Sequence, residues 1–220
     1  MGLDAAAARV LSRRRRLAAV ASVLLIVSGA VLALAATLYG PGSGAGAAVH
    51  GAAVNGDAVW KAGARPAPGF DLTDQRGRPV SLASLRGQPL LLTFLDSKCT
   101  TLCPIVGHQL GVVERRLGGQ PVRLIIVSVD PADTRHTVAV AARKWGWRGH
   151  WQWQWLMGTP AQLAPVWRAY GIGVQPTATD VTHSMAVYVI DGQGDERAGF
   201  LPPLAISRLV SDVRLLQSAG

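Results

Sequence analysis

The chain has 220 residues, 49% of them hydrophobic, with 22 Lys+Arg against 13 Asp+Glu, five His and only two Cys. That apolar content excludes disorder throughout, and two cysteines exclude both a disulfide-dense mini-scaffold and a four-cysteine zinc site. The formal charge of +9 makes no nucleic-acid footprint, because part of it sits in the leader and the rest is spread without a basic block or aromatic interleaving.

Residues 1–16 form a basic, cytoplasmic N-terminus that ends in Arg13-Arg14-Arg15-Arg16, and Leu17 to Leu38 follow without a charge. A helix over that run spans about 33 Å, enough for a bilayer core of about 30 Å. Arginines on its N-terminal flank put the rest of the chain on the extracytoplasmic side of a cell membrane, as a single-pass protein. A cleaved signal peptide is the competing possibility, since Ala33-Leu34-Ala35 and Ala45-Gly46-Ala47 fit a small-residue cleavage site. The apolar run is longer than a secretory core usually is, so an uncleaved anchor is expected. No Cys directly follows the run, which excludes a lipoprotein anchor. Either way the domain beyond it meets an oxidising compartment, where an exposed thiol pair survives only if a reductant or a metal holds it.

Residues 39–68 are rich in Gly, Ala and Pro and are expected to form a flexible tether, leaving one domain over 69–220. Within it, Phe70 to Thr73 and Pro79 to Ser81 flank a Gln75-Arg76-Gly77 turn as a small hairpin. Leu90 to Leu95 and Val122 to Val129 are continuous apolar runs, as expected of strands buried on both faces. Cys103 to Leu117 suits a helix, with Pro104 in its first turn and Gly118-Gly119 as its stop. Thr134 to Trp145 is helical, Trp153 to Leu156 a short strand, and Thr159 caps a helix that ends at Gly171. Met185 to Ile190 turns through Asp191-Gly192-Gln193-Gly194 into Glu196 to Phe200, and Pro203 to Leu216 is an amphipathic helix. This order gives an α/β fold: a thioredoxin-like mixed sheet flanked by helices, with a hairpin in front and an inserted helix, preceded by one transmembrane helix.

Cys99-Thr100-Thr101-Leu102-Cys103-Pro104 falls where a central strand passes into a helix. The unpaired N–H groups and dipole of a helix N-terminus favour thiolate, and the cation at Lys98 adds to that. Four-residue spacing brings both sulfurs to one side, which suits two-thiolate ligation of a soft ion such as Cu(I) or Zn and equally permits a disulfide. A staple closing so short a loop removes little chain entropy, so a purely structural disulfide is poorly motivated.

Two thiolates call for a third ligand. His108 is turned about 140° away from Cys103 on the helix, His136 falls on an outer helix, His50 in the tether and His150 in the Trp-rich segment. His183 differs, because in a thioredoxin-like arrangement the loop entering the Met185 strand faces the helix N-terminus that carries the cysteines. Thiol exchangers of this fold place a cis-proline there; Thr182-His183-Ser184 has none, which argues against a dedicated oxidoreductase.

The Cys-x-x-x-Cys-Pro motif, Val129-Asp130-Pro131 and His183-Ser184 before Tyr188-Val189-Ile190-Asp191 together resemble the Sco/SenC family. The likeness continues through Trp155-Leu156-Met157-Gly158-Thr159 and Val166-Trp167-Arg168-Ala169-Tyr170-Gly171, covering about Phe70 to Leu216. The resemblance implies a membrane-anchored copper metallochaperone that binds one copper, as Cu(I) or Cu(II), through Cys99, Cys103 and His183. It implies assembly of the binuclear copper site of cytochrome c oxidase subunit II as the task. The alternative is a thiol–disulfide oxidoreductase that uses Cys99 and Cys103 as a redox pair to keep the oxidase's copper-ligand cysteines reduced, served by a thiol reductant protein. A peroxidase-like redoxin leaves His183 unexplained.

Two further features have plainer explanations. Asp130, Pro131 and Asp133 form an acidic turn leading into a helix, with a partner contact as the alternative. Trp145, Trp147, Trp151, Trp153 and Trp155 exceed what one short element can bury, leaving a partner or membrane-surface contact open for some of them.

Overall fold

The computed structural model describes residues 54–120, 122–147, 152–177 and 180–218. The expected transmembrane segment, residues 39–53 of the tether, His50, His150 and Trp151 lie outside the described residues. Among the described residues no helix is long and apolar enough to cross a membrane. In chain order the strands are β1 (Ala58–Val59), β2 (Asp71–Asp74), β3 (Pro79–Ser81), β4 (Leu90–Leu95), β5 (Arg123–Ser128), β6 (Gln152–Met157), β7 (Val174–Pro176), β8 (Val181–His183), β9 (Val187–Ile190) and β10 (Glu196–Phe200). The helices are α1 (Leu102–Leu117), α2 (Arg135–Lys144), α3 (Pro160–Ala169) and α4 (Ile206–Ser218), and a 3₁₀ turn spans Leu82–Leu85.

Eight strands form one mixed sheet in the order β1-β10-β9-β4-β5-β6-β2-β3. β4, β5 and β6 run parallel, and β9 returns antiparallel to β4. Side chains alternate across this sheet, so Leu91, Leu95, Leu124 and Ile126 enter one core. Leu90, Leu92, Phe94, Ile125 and Val127 enter the other. Helices α1, α2 and α4 cover the first core, and α3 covers the second with Leu163, Val166 and Trp167. Burial on both faces explains why β4 and β5 read as unbroken apolar runs. Helix starts follow their caps: Thr134 and Thr159 each accept from the backbone N–H three residues on, in reciprocal capping boxes.

Residues 54–68, which composition assigns to the tether, run along the sheet edge instead. The Asn55 N–H meets both carboxylate oxygens of Asp212 on α4 at 2.9 and 2.8 Å, β1 pairs with β10, and Arg65 reaches Glu196 at 2.6 Å. Glycine at 56 serves close approach here, since a Cβ would come within 2.8 Å of Ala198 Cβ and of the Gly199 carbonyl.

Four of the five tryptophans in the Trp-rich segment fall within the described residues. Trp145, Trp147 and Trp155 are buried and Trp153 packs against the same core, so these four rings pack largely on one another. The Trp147 indole N–H donates to the Gly107 carbonyl at 2.8 Å, and a Cβ on Gly107 would lie 2.4 Å from the Trp145 ring. A bare glycine on α1 therefore lets the helix settle directly on the indole stack.

Candidate metal and thiol site

β4 carries the chain to the rim of the sheet, where Asp96, Ser97, Lys98 and Cys99 lead into α1. Thr101 occupies the N-cap position of α1 but makes no side-chain capping hydrogen bond. The Cys99 sulfur takes that role: backbone N–H groups of Cys103 and Thr101 point at it, and the Thr101 hydroxyl lies 3.5 Å away. Pro104, which has no N–H, costs nothing in this first turn. Burial raises the Cys99 thiol, but hydrogen bonds from Thr101 and the Cys103 backbone outweigh it and hold its pKa below the usual thiol value. Cys103 is fully buried, and burial pushes its thiol far above the usual value, with the neighbouring Cys99 sulfur adding to the rise. Alkylation of the reduced, metal-free chain at neutral pH is therefore expected to modify Cys99 more than about tenfold faster than Cys103. Peptide mass spectrometry over a time course checks this, and equal rates would contradict it.

His183 arrives from a small antiparallel hairpin in which it pairs with Val174. Its Nε2 lies 3.5 Å from Cys103 Sγ, and its Nδ1 lies 2.9 Å from the Ser184 carbonyl. A carbonyl only accepts, so Nδ1 carries the proton and the Nε2 lone pair is turned to the sulfur. Ser184 is itself fixed, exchanging backbone and hydroxyl hydrogen bonds with Gly173 at 2.9 Å. Burial lowers the imidazole pKa, which keeps the ring neutral and ready to ligate.

Cys103 thus neighbours both Cys99 and His183. Among the described residues only Asp96, Asp130 and Asp133 put three candidate ligand atoms within 4.8 Å of one another. The sulfur–sulfur–nitrogen set is more open: Cys99 and His183 each adjoin Cys103 rather than each other. Both cysteines are free thiols. His108 is exposed, as its offset from Cys103 on the helix predicts.

The three carboxylates brace the loop from beneath. The Lys98 N–H donates to Asp96 at 2.7 Å, the Lys98 ammonium meets Asp130 at 2.5 Å, and the hydroxyls of Ser97 and Ser128 donate to Asp133. The acidic turn is therefore an anchor for the cysteine loop as well as a lead into α2, and the Lys98 charge is answered by Asp130 instead of bearing on the thiols alone. Asp96 is buried directly after an apolar strand, where a carboxylate needs partners such as the Lys98 N–H. Burial raises Asp133 to about 6 against the two serine hydrogen bonds. A carboxyl raised above its unfolded value of about 3.9 contributes its stability fully below that value and loses it as pH rises through 6. Going from pH 7 to 5 should stabilise the wild type relative to Asp133→Asn by on the order of 1 kcal/mol. Thermal melts across that range check this, and a constant difference would contradict it.

A central strand that delivers two thiols to a helix N-terminus, with a histidine presented just before the antiparallel return strand, defines a thioredoxin-like domain bearing a Cys-x-x-x-Cys and histidine site. The SCO1/SenC family model matches residues 61–216, and the chain belongs to that family. It is 35% identical over 135 residues to the mitochondrial SCO2 homolog of Bos taurus, covering 57% of this chain and 50% of that protein. A SCO1 homolog of Bacillus subtilis (strain 168) is 34% identical over 68 residues, 30% of this chain and 35% of that one. The chain spans about half the length of the mitochondrial relatives it matches. Among solved structures, Bradyrhizobium japonicum ScoI with copper bound superposes with TM-score 0.59 at 28% identity, covering 70% of this chain and 99% of that one. BsSco, described as a member of the Sco family of cytochrome c oxidase assembly proteins, superposes with TM-score 0.60 at 23% identity over 70% of this chain and 94% of its own, a likeness of fold.

Proposed function

We propose that this chain is a copper metallochaperone that carries one copper ion as cargo on Cys99, Cys103 and His183. Its recipient is the binuclear copper site of cytochrome c oxidase subunit II, and residues 17–38 hold the domain to the extracytoplasmic face of the cell membrane. The observation that carries this function is the neutral imidazole whose Nε2 faces Cys103 Sγ at 3.5 Å with its Nδ1 fixed on a carbonyl. Soft thiolates suit Cu(I), and the imidazole lets the same set accept Cu(II). Delivery is ligand exchange: thiols of the recipient replace those of this chain. Anaerobic loading of the reduced full chain tests it by metal analysis. About one copper per chain is expected, and a ratio near zero would refute it.

The asymmetry of the two thiols favours a second activity on the same site. A Cys99 thiolate can attack a partner disulfide, and Cys103 can then attack the Cys99 sulfur to release the partner's second thiol. The chain would leave as the disulfide and need a thiol reductant protein to recycle. This needs no histidine, so a His183→Ala chain that keeps full function in oxidase assembly would favour the reductase.

A further inference from the structure

A groove of about 620 Å³ opens between α1 and α2 with Cys99 in its wall. Pro104 and His108 line it from α1, and His136, Val140 and Lys144 from α2. Those residues follow one another at four-residue spacing, so the groove runs along two helix faces and suits a short extended chain better than a compact ligand. Trp145 also lines it, its indole held in close packing against Gly107 of α1. Cys103 and His183 are not among its lining residues, so whatever enters meets Cys99.

The chemistry of the lining is one-sided. Besides Cys99 its ionisable side chains are Lys98, His108, His136 and Lys144, with no carboxylate among them. Asp130 holds Lys98, so the charge offered to a ligand comes chiefly from Lys144, with two imidazoles as further hydrogen-bonding groups. His108 and His136 do not join Cys99 in a trio of ligand atoms within 4.8 Å, which separates the groove from a second metal centre.

We infer that the groove between α1 and α2 seats an extended acidic segment of the protein with which Cys99 reacts, presenting that segment's cysteine to the Cys99 sulfur. This rests on the proposed role of the thiols and adds the chemistry of the partner. Lys144 and His136 recognise carboxylates, the apolar lining of Val140, Ala141 and Trp145 accepts an apolar side chain, and the half-buried Cys99 is the sulfur the incoming thiol reaches first.

The test uses the full chain with Cys103→Ser and Cys99 carrying a thionitrobenzoate disulfide. Two short peptides, each with one cysteine flanked by aspartates or by lysines, attack Cys99 and release the coloured thiolate. Each rate is divided by the same peptide's rate with a small-molecule disulfide, which removes differences in thiol reactivity. At low ionic strength the aspartate peptide is expected to be about tenfold faster, and the advantage to vanish with added Lys144→Glu and His136→Glu. The rate with 2-mercaptoethanol should be the same with and without those two substitutions. Equal rates for the two peptides, or an advantage that survives both substitutions, would overturn the groove. Copper loading of the chain carrying only Lys144→Glu and His136→Glu keeps the claims apart. Normal loading with no peptide preference sinks the groove alone, and absent loading of the wild type sinks the metal function alone.

Discussion

Replacing Cys103 by serine should abolish copper loading, and replacing His183 by alanine should weaken it by about 100-fold or more. Cys103 is the one residue that adjoins both other candidate ligands, so its loss leaves Cys99 and His183 without a common neighbour. Serine keeps the size and offers a hard oxygen in place of a soft thiolate. His183 is held from behind by Ser184, so truncating it deletes a donor that folding has already oriented. Competition with a Cu(I) chelator under anaerobic conditions measures both variants. Wild-type affinity in His183→Ala would reduce the site to two thiolates.

The largest effect on stability is expected at Trp155. Its side chain is fully buried, stacks on Trp145 at 5.7 Å, packs against a tilted Trp147 ring at 6.4 Å, and lies on a strand paired with β5. Trp155→Ala should cost about 3–5 kcal/mol through lost burial and the cavity left behind. For a domain whose total stability is on the order of 5–15 kcal/mol, that is a large share. Among the described residues the Trp155 indole N–H has no hydrogen-bond partner, so Trp155→Phe removes an unsatisfied donor and should cost less than alanine. Urea unfolding of the three proteins gives the order; a loss below about 1 kcal/mol for alanine would contradict the packing.

The sheet centre was legible because its signals are local. Leu90–Leu95 and Glu196–Phe200 match the residues that periodicity and turn chemistry mark, and Thr134 and Thr159 cap the helices they precede in sequence. Other elements are made by pairing across the chain. β1 is two residues among Gly and Ala, ordered by β10 some 140 positions later in the sequence. The hairpin of β7 and β8 that presents His183 is short and mostly polar, so no apolar alternation announces it. Five tryptophans in one segment exceed what a short element can bury, yet the four described stack on one another and on Gly107, a partner from α1. Both cysteines and the histidine were visible as residue types at meaningful positions. The contact between Cys103 and His183, 80 residues apart, comes from topology, because β9 returns beside β4.

The same topology explains how two thiols with one spacing acquire different characters. Cys99 sits half-exposed over a helix N-terminus that lacks an oxygen cap, while Cys103 is sunk into the core against the imidazole. Under the proposed function, the half-exposed Cys99 sulfur would meet a partner first, and both sulfurs with His183 would hold the copper. X-ray absorption of the copper-loaded, reduced full chain tests that three-ligand site most directly. Two sulfur donors and one nitrogen donor are expected, with the nitrogen lost in His183→Ala. Sulfur donors alone in the wild type would contradict the three-ligand site.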